Sequence, residues 1–208
     1  MARAQHETKD SRAKLLDAAL HVIRQKGYDA TTVDDICAEA GLTKGAFFHH
    51  FASKEELGLA AADHFAQMAA GLFAQAPFRS LEDPRERLLA YVDLRAQMAR
   101  GELPEFTCLL GTMAQELYET HPAIRKACGR HIGEHAAVVE QDIVAAKRRY
   151  APKAKWSTES VALFTQAVIQ GAFVLAKAKN DAHVAAECIG HLRRYLETLL
   201  PATERRTS

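Results

Sequence analysis

The 208-residue sequence predicts an all-α protein, with an N-terminal three-helix unit that contains a helix-turn-helix and with a C-terminal helical bundle. Apolar residues recur at helical spacing along almost the whole chain, and no segment shows the alternation expected of a half-buried strand. Gly and Pro residues interrupt the periodicity and divide it into helix-sized segments. These observations exclude a β-sheet architecture.

Composition narrows the class of protein further. The net charge is +1, and the hydrophobic and charged fractions of 48% and 25% are ordinary for a globular protein. We expect no membrane span and no secretory signal, and therefore a cytoplasmic protein. The four cysteines form no C-x-x-C pair, which favours reduced thiols over a disulfide framework or a zinc site.

Start and stop signals place three helices before residue 53 and a long helix after it. Ser/Thr residues that precede acidic side chains by three positions are N-cap signatures, and Gly residues end two of the helices. The predicted helices are 10–26, 33–40 after the Thr32 cap, 44–50 after the Thr43 cap, and a long one from the Ser53 and Glu56 capping box to about 75.

Five further helices are expected downstream, separated by Pro or Asn-Asp breaks. They cover about 84–100, 104–119, 122–149, 157–179 and 182–200. We therefore expect a domain boundary near residue 53. The domains are 1–53 and 54–208, with 54–75 as a connector helix.

The second and third helices are joined by Ala40-Gly41-Leu42, the short glycine turn of a helix-turn-helix. In such a unit the second helix enters the DNA major groove with its N-terminal residues towards the base edges. Thr-Lys-Gly at the start of that helix suits a close approach to phosphate and base, and the aromatic and histidine residues that follow can lie along the sugar-phosphate backbone. The predicted DNA-binding residues are Thr32, Thr43, Lys44, Gly45, Phe47, Phe48, His49, His50 and Lys54, the last as a second phosphate clamp.

The segment GYDATTVDDICAEAGLTKGAFFHHFASKEEL, residues 27–57, resembles the DNA-binding region of the tetracycline-repressor (TetR) family of bacterial regulators. Two residues depart from the family pattern. Cys37 replaces a usual alanine, and Phe48 replaces a usual tyrosine whose hydroxyl commonly reaches a phosphate. Losing one hydrogen bond weakens DNA binding by about 1 kcal/mol.

The resemblance implies that the C-terminal bundle serves ligand sensing and dimerisation. A homodimer would present two helix-turn-helix units, here called reading heads (residues 33–50 of each protomer), to a palindromic operator in double-stranded DNA. The last two helices, about 157–179 and 182–200, carry apolar seams at close to bundle spacing, so we expect the dimer to form through them. A purely internal core is the alternative explanation of these seams.

The segment FTCLLGTMAQEL around Cys108 resembles, more loosely, a TetR subgroup that includes repressors sensing electrophiles such as N-ethylmaleimide. That resemblance implies a ligand- or redox-sensing role for Cys108, near the start of a helix that begins at about Pro104, where a helix dipole favours thiolate. The alternative is that Cys108 is a small buried hydrophobe. Sensing could instead use a small molecule in an apolar cavity lined by aromatic side chains.

Two rival functions remain open. His131-Ile-Gly-Glu134-His135 matches H-x-x-E-H, a metalloenzyme motif, although a Gly lies inside it and no third ligand stands out. The other rival is a helical protein-interaction module without DNA binding. No phosphate loop or dinucleotide fingerprint is present, so we expect neither an enzyme nor a metal or other cofactor. The sequence thus favours a DNA-binding transcriptional regulator, most simply a repressor, which is nucleoid-associated when bound to DNA.

Overall fold

The computed structural model of the protein describes residues 2–202, with side chains from Asp10 onward, and within that range it contains helices and no strand. The fold class predicted from the sequence is therefore confirmed. The helices are α1 (Ala2–Lys26), α2 (Val33–Ala40), α3 (Lys44–His50), α4 (Lys54–Gln75), α5 (Pro84–Met98), α6 (Leu103–Phe106), α7 (Leu109–Leu117), α8 (Pro122–Tyr150), α9 (Thr158–Lys179) and α10 (Ala182–Leu199). A 3-10 turn, Pro77–Ser80, precedes α5.

The prediction of one helix over 104–119 is wrong. The chain forms the short helix α6 and then the separate helix α7, with Cys108 as the residue that caps α7. The remaining predicted helices agree with the structure except at their ends.

The chain divides into two compact units, each drawn from two segments. Unit 1 comprises residues 1–71 and 107–131, and unit 2 comprises residues 72–106 and 132–208. Since these units are defined by packing, the predicted boundary at residues 53 and 54 stays a prediction about function.

The helix-turn-helix in unit 1 follows from local backbone requirements. Gly41 ends α2 in the left-handed conformation at φ 63°, which only glycine adopts without a steric cost. The amide of Leu42 then donates to the carbonyl of Cys37 at 2.9 Å, closing the last turn of α2. Behind this turn, Ile36 of α2 and Phe47 of α3 are fully buried with the apolar face of α1.

A second link in unit 1 joins α7 to the turn between α1 and α2. The carboxylate of Glu116 accepts hydrogen bonds from the amides of Tyr28 at 2.6 Å and Asp29 at 2.9 Å. Gly27 adopts φ 89°, and a Cβ there would come within 3.0 Å of the Glu116 carboxylate. The turn therefore requires glycine for both its backbone angle and its close contact with Glu116.

Unit 2 contains α5, α9 and α10, which pack together through apolar faces. Helix α9 is also, by length and composition alone, long and apolar enough to cross a membrane, with 44% of its most apolar window buried inside the protein. A single helix of this kind is weak support for a membrane span, because core helices of globular proteins have the same composition.

Candidate nucleic-acid interface

The start of α3 is an exposed and capped part of the helix-turn-helix. Thr43 caps the helix through its hydroxyl, which accepts a hydrogen bond from the amide of Ala46 at 3.2 Å. Thr43, Lys44 and Gly45 are all exposed. Beyond the Thr43 hydroxyl itself, no side chain lies within 4 Å of where a Gly45 Cβ would stand. The helix start therefore offers a small surface on which a phosphate or a base edge can approach the backbone.

Lys44 carries the positive charge of this surface, but in the structure it already has a partner. Its ammonium lies 2.9 Å from the carboxylate of Asp34 on α2, and both side chains are more than half exposed. The hydrogen bond that the Lys44 ammonium donates to Asp34 raises the pKa of Lys44. An exposed pair of this kind is worth little on its own, so a DNA phosphate can take the place of Asp34.

The two adjacent phenylalanines of α3 have opposite environments. Phe47 is completely buried, with its ring 5.8 Å from that of Phe51, so this structure gives it a core position, and its DNA-binding role stays a prediction. Phe48 is 57% exposed and packs only the edge of its ring against Phe47. Residues one position apart face different sides of a helix, and α3 turns Phe47 towards the core.

The two histidines at the end of α3 also differ. His49 is exposed, whereas His50 is half-buried and its Nε2 lies 2.7 Å from the hydroxyl of Ser11 on α1. Burial, followed by the nearby His49 and Arg12, lowers the pKa of His50. His50 is therefore held neutral against α1, and of the two only His49 projects fully into solvent.

Lys54 differs most from its predicted role as a phosphate clamp. Its ammonium donates hydrogen bonds to the carbonyls of Tyr28 at 3.1 Å and Thr31 at 3.0 Å, and it lies 4.3 Å from the centre of the Tyr28 ring. These contacts tie the start of α4 to the turn before α2. In this structure the ammonium therefore makes an internal contact, and the phosphate clamp stays a prediction.

Thr32 is likewise engaged locally. Its hydroxyl donates to the carboxylate of Asp35 at 2.6 Å and accepts from the Asp35 amide at 3.1 Å, which completes the capping box of α2. Lys26 also lies 2.7 Å from Asp35, and this contact, with those from Thr32, holds the pKa of Asp35 far below its usual range. Thr32 is exposed, but its side chain serves first as a cap.

Two cysteines of unit 1 have contrasting environments. Cys108 is half-buried and caps α7, its sulfur accepting a hydrogen bond from the amide of Gly111 at 3.4 Å. Cys128 is completely buried, and burial, with the nearby Cys108 as a second cause, raises the pKa of Cys128 to about 12. Of these two thiols, Cys108 is the one that a reagent can reach.

The two histidines of the H-x-x-E-H sequence have separate partners. His131 lies 2.6 Å from the carboxylate of Asp63 on α4, and His135 lies 2.9 Å from the hydroxyl of Tyr91 on α5. Among residues with described side chains, no three His, Cys, Asp or Glu side chains are grouped so as to hold a metal ion. His131 and His135 therefore each contact a partner of their own and are not grouped around a shared metal ion.

Sequence reasoning missed two partners of the interface. Asp34 pairs with Lys44 across the turn, and Ser11 holds His50. Asp34 could have been noticed as the acidic residue beside the Thr32 cap, but Ser11 lies 39 positions from His50 and carries no local signal.

Comparison with known protein families gives two matches. Residues 15–61 match the model of bacterial regulatory proteins of the tetR family, and residues 84–192 match the tetracyclin repressor-like C-terminal domain. The second match covers more than half of the chain.

Two curated relatives align over most of this chain. The HTH-type transcriptional regulator LmrA of Bacillus subtilis is 28% identical over 83% of this chain and 89% of its own length. The HTH-type transcriptional repressor DhaR of a Mycobacterium species is 24% identical over 93% of this chain and 94% of its own length.

Solved structures share the fold. A TetR transcriptional regulator from Chloroflexus aurantiacus has a TM-score of 0.80 and 26% identity, over 92% of this chain and 96% of that one. The reduced form of Escherichia coli NemR has a TM-score of 0.73 over 94% of this chain and 99% of that one, and its 21% identity supports the fold alone.

Proposed function

The chain belongs to the tetR family of bacterial regulatory proteins and is a DNA-binding transcriptional regulator. From that premise we propose that it is a dimeric repressor, which an inducer releases from a palindromic operator. The observation that carries the proposal is the exposed, capped start of α3, where Thr43, Lys44 and Gly45 are accessible. A repressor of this kind acts in the bacterial cytoplasm, on the nucleoid.

The exposed residues of α3 support two kinds of DNA contact, one at its first turn and one further along the helix. Its first turn supplies exposed amides, the Thr43 cap and the Lys44 ammonium, which suit a phosphate contact beside the major groove. Phe48 and His49 follow on exposed surface and can lie against the sugar or a thymine methyl. Phe47 supports this helix from within, and Lys54 ties the start of α4 to the turn before α2.

A dimer through α9 and α10 is supported by an apolar face that unit 2 leaves exposed. On α10 the seam predicted from the sequence is buried in its own unit, as Ile189 and Leu196 show. On α9 most of the predicted seam remains open, and Phe164 of that face lies against the ring of Tyr195 of α10 at 4.9 Å. The exposed or half-exposed residues of this face are Leu163, Phe164, Ala167, Val168, Gly171, Val174 and Leu175.

Gly171 gives a clean test of this dimer. Nothing lies within 4 Å of where its Cβ would stand, so a larger residue fits the monomer and also favours the helix. Gly171→Arg would place a bulky charge on each side of the interface, and we expect a monomer by sedimentation equilibrium. Gly133→Arg on α8, also with open space at its Cβ, is the matched control and should remain dimeric. A dimer in both variants would rule out this face.

Induction through Cys108 is the thiol branch of the proposal. The Cys108 thiol first loses its proton. The thiolate then adds to one carbon of the ring C=C bond of N-ethylmaleimide and forms a C–S bond, and the other carbon of that bond takes up a proton. The bulky thioether can no longer cap α7 through the Gly111 amide. Because Glu116 on α7 also holds the turn before α2, a shift of α7 would disturb the reading head.

The test is fluorescence anisotropy with the intergenic DNA beside the protein's own gene, at fixed salt, with and without N-ethylmaleimide. An unrelated duplex measures specificity, and Cys108→Ser is compared with Cys188→Ser, since Cys188 is also half-buried. Release of wild type and Cys188→Ser, but not of Cys108→Ser, supports the thiol branch. Specific binding indifferent to the reagent retains the repressor and leaves a non-covalent inducer. No specific binding favours the interaction-module alternative.

A further inference from the structure

Unit 2 contains a cluster of aromatic side chains around one arginine. The guanidinium of Arg95 on α5 lies 5.3 Å from the centre of the Phe73 ring and 5.7 Å from the centre of the Phe173 ring. Both rings are buried, and Phe106 packs edge-on against Phe173 at 5.8 Å. The cation thus lies close to two apolar rings of its own unit.

Arg95 differs from the other inward-facing arginines of unit 2. Arg79 and Arg87 share the carboxylate of Asp142, and Arg193 pairs with Asp93. For Arg95, the described part of the chain provides neither a carboxylate nor a carbonyl partner, although the residue is half-buried. A guanidinium presents five donors, and leaving them unpaired in a partly desolvated place is costly.

Among the described residues, no acidic side chain forms an ion pair with Arg95. His135 lies 5.1 Å from the Phe73 ring, and its Nε2 is engaged with the Tyr91 hydroxyl. Burial, with the charges of Arg95 and Arg79, lowers the pKa of His135 to about 4, so the imidazole is neutral at physiological pH. Asp142 is already shared by Arg79 and Arg87, so it does not compensate Arg95.

A second unsatisfied polar group lies on the same side of α9 as Phe173. The side-chain amide nitrogen of Gln166 is buried and has no hydrogen-bond partner among the described residues, with only 6% of the residue exposed. Seven residues separate Gln166 from Phe173, which is two turns or about 10 Å along one helix face. A buried amide that lacks an acceptor costs free energy, and a bound ligand could supply that acceptor.

We propose that this cluster is the binding site for an organic carboxylate, whose carboxylate group pairs with Arg95 and whose apolar body lies against Phe73 and Phe173. Gln166 donates to a neutral acceptor further along the same ligand. A monoanion fits better than a phosphate ester, because one uncompensated guanidinium balances one negative charge. The inference rests on the proposed function in one respect, that the protein responds to a small-molecule inducer.

The ligand class is tested by calorimetry on the full-length protein without DNA. The probes are benzoate, phenylacetate, 3-phenylpropanoate and octanoate, each compared with its own primary amide, which has the same shape but no charge. At least one carboxylate should bind wild type at least about tenfold more tightly than its amide. If no acid is preferred over its amide, the proposal is overturned.

Arg95→Gln should remove the preference for acid over amide, whereas Arg100→Gln, an exposed arginine just beyond the same helix, should retain it. Arg95→Lys keeps the charge without the planar fork, so it should retain part of the preference even if the glutamine variant folds poorly. An acid preference that survives in a folded Arg95→Gln protein would overturn the proposal. Because these probes carry no second acceptor for the Gln166 amide, Gln166→Met should leave their binding and their acid preference unchanged, and a lost acid preference would contradict the place given to Gln166.

The operator assay separates this inference from the proposed function. Carboxylate binding without an effect on DNA binding would confirm the site and count against its role in induction. Specific operator binding with no preference for any acid would leave the repressor intact and overturn the carboxylate site.

Discussion

The protein uses its positive charges differently in its two units. In the reading head, Lys44 is exposed and holds the carboxylate of Asp34. In unit 2, Arg95 is half-buried between two phenylalanine rings and has no carboxylate partner within the described range. The first charge is compensated in water, and the second is uncompensated in a less polar environment.

The difference indicates two kinds of recognition. An exposed ion pair contributes roughly 0–1 kcal/mol, so exchange of Asp34 for a DNA phosphate costs little and remains sensitive to salt. A charge clamped between rings is screened less by water and salt, and an anion that reaches it gains more. We therefore expect DNA binding to depend strongly on ionic strength and carboxylate binding to depend on it weakly.

The largest expected effect is the pH dependence of the free energy of unfolding that comes from His135, close to Arg95. The pKa of His135 is about 4 in the folded protein and about 6.5 in the unfolded chain, so between these values the unfolded chain binds more protons. Stability should therefore fall as the pH drops from about 6.5 towards 4. From pH 7 to pH 4.5, wild type should lose about 2–3 kcal/mol more than His135→Gln. Urea unfolding at both pH values measures this, and the same loss in both proteins would show that His135 is not responsible.

The next effect tests whether Lys54 belongs to the internal structure or to the DNA surface. Lys54→Met should lower the free energy of unfolding by about 2 kcal/mol, because two carbonyls and the Tyr28 ring lose their charged partner. The salt dependence of operator affinity should stay as in wild type. Lys14→Met, at an exposed lysine paired with Asp10, is the control for both measurements. A normal stability with a reduced salt slope would restore the phosphate clamp predicted from the sequence.

Lys44 and Asp34 sharpen the comparison from the DNA side. Lys44→Ala should weaken operator binding by up to about tenfold for each protomer and, since a dimer loses two phosphate contacts, reduce the slope of log affinity against log salt by about 1.8. Asp34→Asn should act in the opposite direction, since it frees the ammonium and removes a negative charge that faces DNA. In a Lys44→Ala background the Asp34→Asn gain should shrink. Anisotropy titrations at several salt concentrations check this, and independent effects of the two changes would mean that the pair does not compete with phosphate.

The smallest expected effect is at Phe48. Its ring is 57% exposed, so Phe48→Tyr adds a hydroxyl on the surface without burying it. If the missing family contact is to a phosphate, the variant should bind the operator more tightly by up to about fivefold for each protomer, the equivalent of about 1 kcal/mol per hydrogen bond. Anisotropy at fixed salt measures the change, with Phe106→Tyr in unit 2 as a control outside the reading head. Unchanged affinity would mean that the Phe48 ring is directed away from phosphate.

Most of the fold and part of the candidate interface could be predicted from the sequence. Caps at Thr32 and Thr43 and the Gly41 turn depend on contacts within four residues, so the helix-turn-helix is visible in a short stretch. The side-chain environments were less predictable. Phe47 and Phe48 are neighbours of the same type, and only the packing of α3 against α1 and α2 distinguishes the buried ring from the exposed one.

The sequence by itself determined the all-α class, the order of the helices and the start of α3. Helical periodicity, helix capping and the left-handed backbone conformation of glycine are local properties of the chain. Only the tertiary structure decided which charges are occupied. In the folded chain, Lys54 donates hydrogen bonds to carbonyls more than twenty positions away, and Cys108 lies at a break between two helices. It also brought Phe73 and Phe173, a hundred residues apart, to the two sides of Arg95. Long-range packing chooses these partners, since a pattern of residue types fixes which groups could pair but not which of them meet.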